Sequence, residues 1–319
     1  MQVDILSKIK QDPAILKALP PSIKTRAYEL LEELDKRKEN EKAQNSFMAF
    51  VKKVWPSFID GAHHQKMAAA FEKVAEGKCK RLIINMPPRH TKSEFASYLL
   101  PAWFLGKFPN KKVIQTSHTA ELAVGFGRKV RNLVDQDVYR DIFPEVGLQA
   151  DSKAAGRWAT NKGGDYFAIG VGGAVTGKGA DILIIDDPHS EQEAAQAETN
   201  PEIYDKTHEW YTSGPRQRLQ PGGAIIIVMT RWSKLDLTGQ IIAQMGREEG
   251  VDPWEVVEFP AILDDKIKSA VCASSRLCRS GIILELCNGL LLKFSRLFCL
   301  FAIFEFGLAV CADWRKALK

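Results

Sequence analysis

The stretch Arg81-Leu82-Ile83-Ile84-Asn85-Met86-Pro87-Pro88-Arg89-His90-Thr91-Lys92-Ser93 decides how the rest of this chain is read. An apolar, strand-like run meets a double-proline turn, and Lys92-Ser93 then opens a helix-like segment. A buried strand fixes such a turn, the turn aims backbone N–H groups and a lysine outward, and the helix N-terminus adds its dipole and a hydroxyl. Those are the parts of a phosphate cradle. The pattern predicts a nucleotide loop made of Pro88, Arg89, His90, Thr91, Lys92 and Ser93, with Thr91 standing where glycine is usual.

Working outward, residues 112–117 read as a second short strand, and Thr119 is placed to cap a helix over 120–134 in which Leu122, Phe126, Val130 and Val134 recur every fourth residue. Strand, helix, strand, helix predicts an α/β fold with a mainly parallel sheet flanked by helices. Residues 157–173 read as a twisted hairpin around Gly163-Gly164. The run Ile182-Leu183-Ile184-Ile185 has no alternation, as expected of a strand buried on both faces, and it delivers Asp186-Asp187 to the strand's C-terminal end, where open α/β sheets bind ligands. Ser190-Glu191-Gln192-Glu193 is a capping box. A further buried strand, 224–228, leads into Met229-Thr230-Arg231-Trp232, followed by a helix over 237–245 and a short strand over 254–259.

Upstream, residues 5–42 carry a helical pattern split by Pro20-Pro21, with Ser22 a candidate cap, and a second apolar helix spans 47–54. His63-His64-Gln65 precedes a helix-like segment over 66–76 that stops at Gly77. Adjacent histidines are expected to point to different sides of an element, which argues against a metal site made by this pair. Gln65 can read adenine through its amide, as in helicase-type ATPases. Residues 93–100 read as a helix bent or ended before Pro101.

A rival for the phosphate loop exists. Gly172-Gly173-Ala174-Val175-Thr176-Gly177-Lys178 meets the spacing of the glycine-rich consensus, but residue 179 is glycine and a strand follows. Phosphate binding needs a helix N-terminus after the lysine and a hydroxyl for the metal, so the reading here is a glycine loop beside the site.

The 44 basic and 39 acidic residues leave a net charge of +5, compatible with a polyanionic partner and too mild to establish one. The N-terminus has no apolar signal core, so a cytoplasmic protein is expected. No C-x-x-C pair occurs among Cys79, Cys272, Cys278, Cys287, Cys299 and Cys311, which argues against a zinc ribbon or dithiol site.

With these residues in hand, the chain resembles the large terminase subunit of tailed bacteriophages. The resemblance runs from about residue 47 to about residue 263 and rests on His63-His64-Gln65, the 86–93 loop, the 172–187 block, Leu219-Gln220-Pro221-Gly222, Thr230-Arg231-Trp232 and Asp236-Leu237. It implies a P-loop NTPase domain of helicase-like type, at 63–265, preceded by a small helical region at 1–62. It implies ATP and Mg²⁺ as cofactors, with Lys92 on the β- and γ-phosphates, Ser93 and Asp186 on the metal, and Arg89 on phosphate charge. Asp187 stands where such enzymes usually carry a glutamate that orients water, with Glu191 the alternative, and Arg231 would report loss of the γ-phosphate. The implied partners are double-stranded DNA, a portal protein, a small terminase subunit and further copies in a ring, with no membrane. The implied location is the host cytoplasm, transiently on the procapsid and not as a stable virion component.

Such subunits continue into a nuclease domain rich in aspartates, and nothing after Asp265 offers one. Residues 266–319 change abruptly to Cys, Leu, Phe, Ser and Arg, as a shifted reading frame would produce. The apolar run over 297–312 contains Glu305 and falls short of the roughly 20 residues that cross a bilayer. A helicase-type nucleic-acid translocase, or an inactive truncated fragment that only binds nucleotide, remain the alternatives.

Overall fold

Leu82, Ile83 and Ile84 are all fully buried, because the strand they form has helices on both faces. This strand, β1 (Arg81–Asn85), belongs with β2 (Lys112–Ser117), β3 (Leu148–Ala154), β4 (Arg157–Thr160), β5 (Asp165–Gly170), β6 (Ala180–Asp186), β7 (Leu219–Met229) and β8 (Glu255–Glu258) to one sheet of order β3-β4-β5-β2-β6-β7-β1-β8. The computed structural model describes residues 20–175, 177–245 and 252–260. These lie in one compact unit, Met1–Ala261. The predicted start of the first helical region at 5–19 and the atypical 266–319 segment lie outside the described residues.

Every pairing from β5 through β8 is parallel, and β4 alone runs against the rest, antiparallel to both β3 and β5, the latter through the hairpin around Gly163-Gly164. β7 lies between β1 and β6, with Ile84 opposite Val228 and Ile185 opposite Ile227. The ends of β1 and β6 are thereby held one strand apart, at the same edge of the sheet.

Alternation along the strands sorts the core into two layers. Leu82, Ile84, Ile182, Ile184, Ile226 and Val228 face one cluster, and Ile83, Leu183, Ile185, Ile225 and Ile227 face the other. The first layer is covered by α1 (Pro21–Asn45), α2 (Phe47–Val54), α3 (Ala62–Ala75), α4 (Leu100–Lys107), α5 (Ala120–Val134) and α6 (Asp137–Ile142), with Phe47 seated edge-on among Phe71, Phe95 and Trp103. The helical lead-in thus shares the core of the sheet. The second layer packs against α8 (Glu202–Ser213) and α9 (Leu237–Met245), through Tyr211, Leu237 and Ile241. Between these in sequence lies α7 (Glu191–Ala197), opened by the expected capping box: Ser190 Oγ accepts from Glu193 N and Ser190 N donates to Glu193 Oε2.

Three expectations are corrected. Pro20 rather than Ser22 occupies the N-cap of α1, because Pro21 takes the first helical position, where a missing N–H costs nothing. The helix after Ser93 does not end before Pro101: a π-helical segment (Glu94–Leu99) runs into α4, with Leu100 N donating to Phe95 O. The register has shifted where the proline ring needs no bond, so the helix continues to Lys107. Finally, His63 and His64 do not diverge; their rings lie 3.7 Å apart, the His64 ring being held between Gly61 N and Thr91 Oγ1 at the start of α3.

Candidate active site

Asp186 ends β6 with its carboxylate fully enclosed, and the helix that follows the 86–93 loop supplies its partners. Ser93 Oγ donates to Asp186 Oδ1 at 3.0 Å and Ser97 Oγ donates to Oδ2 at 2.7 Å. Serines four apart share a helix face, which is why both reach one carboxylate. Gln115 on β2 donates to Ser97 Oγ at 2.9 Å, extending the chain of bonds under the sheet. Burial pushes the Asp186 carboxyl well above the usual carboxylate range, and the charge of Asp187 adds to this, while Ser97, Lys92 and Ser93 oppose it.

Lys92 is nearly as enclosed as Asp186, at 5% exposure, so its charge needs a partner. It has one: Lys92 Nζ lies 2.8 Å from Asp187 Oδ2. The other oxygen of Asp187 accepts from Thr230 N at 2.9 Å. Thr230 Oγ1 in turn donates to Met86 O at 3.3 Å, tying the end of β7 to the start of the loop. Lys92, Ser93, Asp186 and Asp187 therefore meet at the C-terminal ends of β1, β6 and β7. Around the loop, Arg89, Thr91, Lys92, Ser93 and Glu94 line an open depression of ≈ 290 Å³.

Arg89, Thr91 and Asp187 are the non-glycine residues with positive φ among those described, at 64°, 62° and 42°. Left-handed backbone of this kind disfavours side chains and concentrates at functional sites. Thr91 is held by His64, whose Nε2 lies 2.7 Å from Thr91 Oγ1.

Other expected site residues do not join this cluster. Pro88, Arg89 and His90 are exposed, Arg89 on the rim of the depression, with His90 Nδ1 2.8 Å from Pro88 O. Gln65 is exposed and its amide donates to Asp60. Arg231 points back into its own loop, donating to Asp236 Oδ2 at 3.1 Å and to Ser233 O at 3.0 Å. Glu191 is exposed in the first turn of α7. The rival lysine, Lys178, pairs with Asp165 Oδ2 at 3.2 Å and lies over the Phe167 ring, and the segment after it is β6.

The sequence reading gave no site role to Ser97, Gln115, His64 or Asp236, although His64 and Asp236 lie in quoted motifs. Asp236 is fully buried and accepts from Arg231, Trp232 N, Ser233 N and Gly239 N, so it caps α9 and fastens the 231–233 loop together. An aspartate directly before an apolar helical run was the available signal for it. Ser97 and Gln115 offered none, since lone polar residues in apolar segments show their partners only after folding.

The donor chemistry suits a hard divalent cation. Ser93 and Asp186 present oxygen alone, and Ser117, the cross-strand neighbour of Asp186, has a buried hydroxyl with no hydrogen-bond partner. Among the described residues no group of three or more His, Cys, Asp or Glu side chains could hold a metal unaided. Mg²⁺ suits such a partial set, since it keeps waters and takes substrate phosphates as ligands. Among the described residues, no helix is long and apolar enough to cross a membrane.

No protein-family model and no curated protein matches the chain. Among solved structures, the crystal structure of the HK97 bacteriophage large terminase is similar at 14% identity, over 69% of this chain and 45% of that one, with a TM-score of 0.42. The chain thus spans under half the length of that protein. A likeness this distant fixes no residue role.

Proposed function

We propose that the chain hydrolyses ATP with Mg²⁺ as the motor subunit of a phage terminase, driving double-stranded DNA into a procapsid. One observation carries the ATPase reading. The lysine and hydroxyl that open a helix after β1 converge on the paired aspartates that end β6, at 2.8 Å and 3.0 Å. That is the constellation phosphoryl transfer needs, because its catalysis is positioning plus charge neutralisation. The motor reading rests on the sequence resemblance to large terminase subunits.

In this reading Lys92 binds the β- and γ-phosphates, Ser93 and Asp186 hold Mg²⁺, Arg89 faces phosphate charge and Gln65 reads the adenine. Mg²⁺ when bound supplies neutralisation of charge on the phosphate oxygens. Phosphates arriving at Lys92 compete with Asp187 for its ammonium and release the Asp187 carboxylate to orient water, a role Glu191 takes if Asp187 falls short. Thr230, bonded to Asp187 through its N–H, passes that change to the loop of Arg231. The partners are the portal, a small terminase subunit and further copies in a ring, in the host cytoplasm and transiently on the procapsid. A helicase-type translocase would use the same site.

ATP turnover by the full chain, measured with double-stranded DNA and with or without portal, tests the motor reading. Stimulation by portal is expected. Strand separation without portal would favour the helicase-type translocase, and nucleotide binding without turnover would favour an inactive fragment.

A further inference from the structure

The loop carries a threonine in left-handed backbone, at φ 62°, where glycine would sit without strain. A β-branched residue there is an outlier, and something must hold it. The holder comes from α3, outside the loop. Gly61 N donates to His64 Nδ1 at 3.0 Å, which makes Nδ1 the acceptor and leaves Nε2 as the N–H that donates to Thr91 Oγ1 at 2.7 Å. Thr91 Oγ1 passes its own hydrogen to His90 O at 2.6 Å. The imidazole is also clamped sideways, stacked 5.0 Å from Phe95 and edge-on 4.7 Å from Phe58. Its position is therefore set by the core, and the hydroxyl of Thr91 follows it.

We propose that His64 is a positioning residue for the phosphate loop, pinning Thr91 through its hydroxyl and thereby placing Lys92, the next residue, and the first amides of the helix. The threonine strains the backbone but supplies an anchor that a glycine lacks. This role rests on the nucleotide reading of the 86–93 loop.

A double-mutant cycle in the full chain tests it, with His64→Phe and Thr91→Gly alone and together, and His64→Gln as the conservative variant. Phenylalanine keeps the ring packing and loses both bonds. Glutamine can keep both, its amide oxygen accepting from Gly61 N and its NH₂ donating to Thr91. His64→Phe is expected to raise KM for ATP about fivefold, as loss of one hydrogen bond does, with a smaller change in kcat. His64→Gln restores KM to within about twofold, and in the Thr91→Gly background His64→Phe changes KM by less than about twofold, because the anchored hydroxyl is gone. Denaturation of the same proteins without nucleotide should show the same non-additivity. Equal effects of His64→Phe in both backgrounds would show that His64 acts through packing alone and overturn the proposal, and so would coupling in denaturation with no change in KM. A wild-type chain that binds no ATP would refute the nucleotide reading itself, while the nucleotide-free cycle still decides whether His64 holds Thr91.

Discussion

Asp186 and His64 flank the 86–93 loop with opposite electrostatic behaviour. Burial raises the Asp186 carboxyl, so the folded protein holds a proton there at pH values where the unfolded chain has lost it; ionised Asp186 therefore lowers stability near neutrality. Asp186→Asn removes that charge and is expected to be at least as stable as wild type in urea at pH 7, while losing ATP turnover by at least about a hundredfold. A variant that is both destabilised by more than about 2 kcal/mol and active would contradict this assignment. His64 is shifted the other way, from 6.5 down to about 4, first by burial and then by the neighbouring His63. The folded state disfavours its protonation, so its contribution to stability is present above pH 6.5 and is lost as pH falls toward about 4. An NMR titration should find the His64 ring neutral at pH 5.5, and a midpoint at or above 6.5 would show that the ring is neither buried nor bonded as described. Of these residues, Lys92, Ser93, Asp186 and Asp187 were legible in the sequence because each sits at a strand or helix end that patterning locates. The link from His64 to Thr91 was not, since the pair lies 27 residues apart and neither residue signals the other.

Among the elements, the helix from Ser93 onward couples the 86–93 loop to Asp186, the proposed metal ligand. Its two serines contact the same carboxylate, yet their loss should differ. Ser97→Ala leaves Asp186 Oδ2 and one Gln115 bond without a partner inside the core and is expected to cost about 1–3 kcal/mol in denaturant. Ser93→Ala, at the half-buried mouth of the site, should unfold within about 1 kcal/mol of wild type yet show the greater loss of Mg²⁺-dependent turnover. The reverse ranking would place the metal deeper, at Ser97. Sequence patterning bent or ended this helix before Pro101 because a proline ordinarily kinks or ends one; the π-helical register that carries the chain past it is a tertiary solution with no local signature. β3 went unread for a related reason, since Leu-Gln-Ala-Asp-Ser-Lys-Ala at an outer edge of the sheet lacks the apolar run of a central strand. The helix α8 had a usable signal in the spacing of Tyr204, Thr207 and Tyr211, all buried on one face.

At the scale of the molecule, the five strands β1, β2, β6, β7 and β8 were readable because helices cover both faces of the central sheet and the residues along most of them need no alternation. What the sequence did not disclose is the order of those strands. Placement of β7 between β1 and β6 brings Thr230 against Asp187 and sets the 86–93 loop across from the aspartates, a relation that only long-range pairing creates. The same topology separates the two candidate lysines. Lys92 stands among the strand ends with Asp187, whereas Lys178 is bound to Asp165. Steady-state ATP turnover of Lys92→Ala and Lys178→Ala, each confirmed folded by circular dichroism, tests this most directly. Turnover should vanish in Lys92→Ala and stay near the wild-type rate in Lys178→Ala; unchanged turnover in Lys92→Ala, or its loss in Lys178→Ala, would move the nucleotide site to the glycine-rich loop.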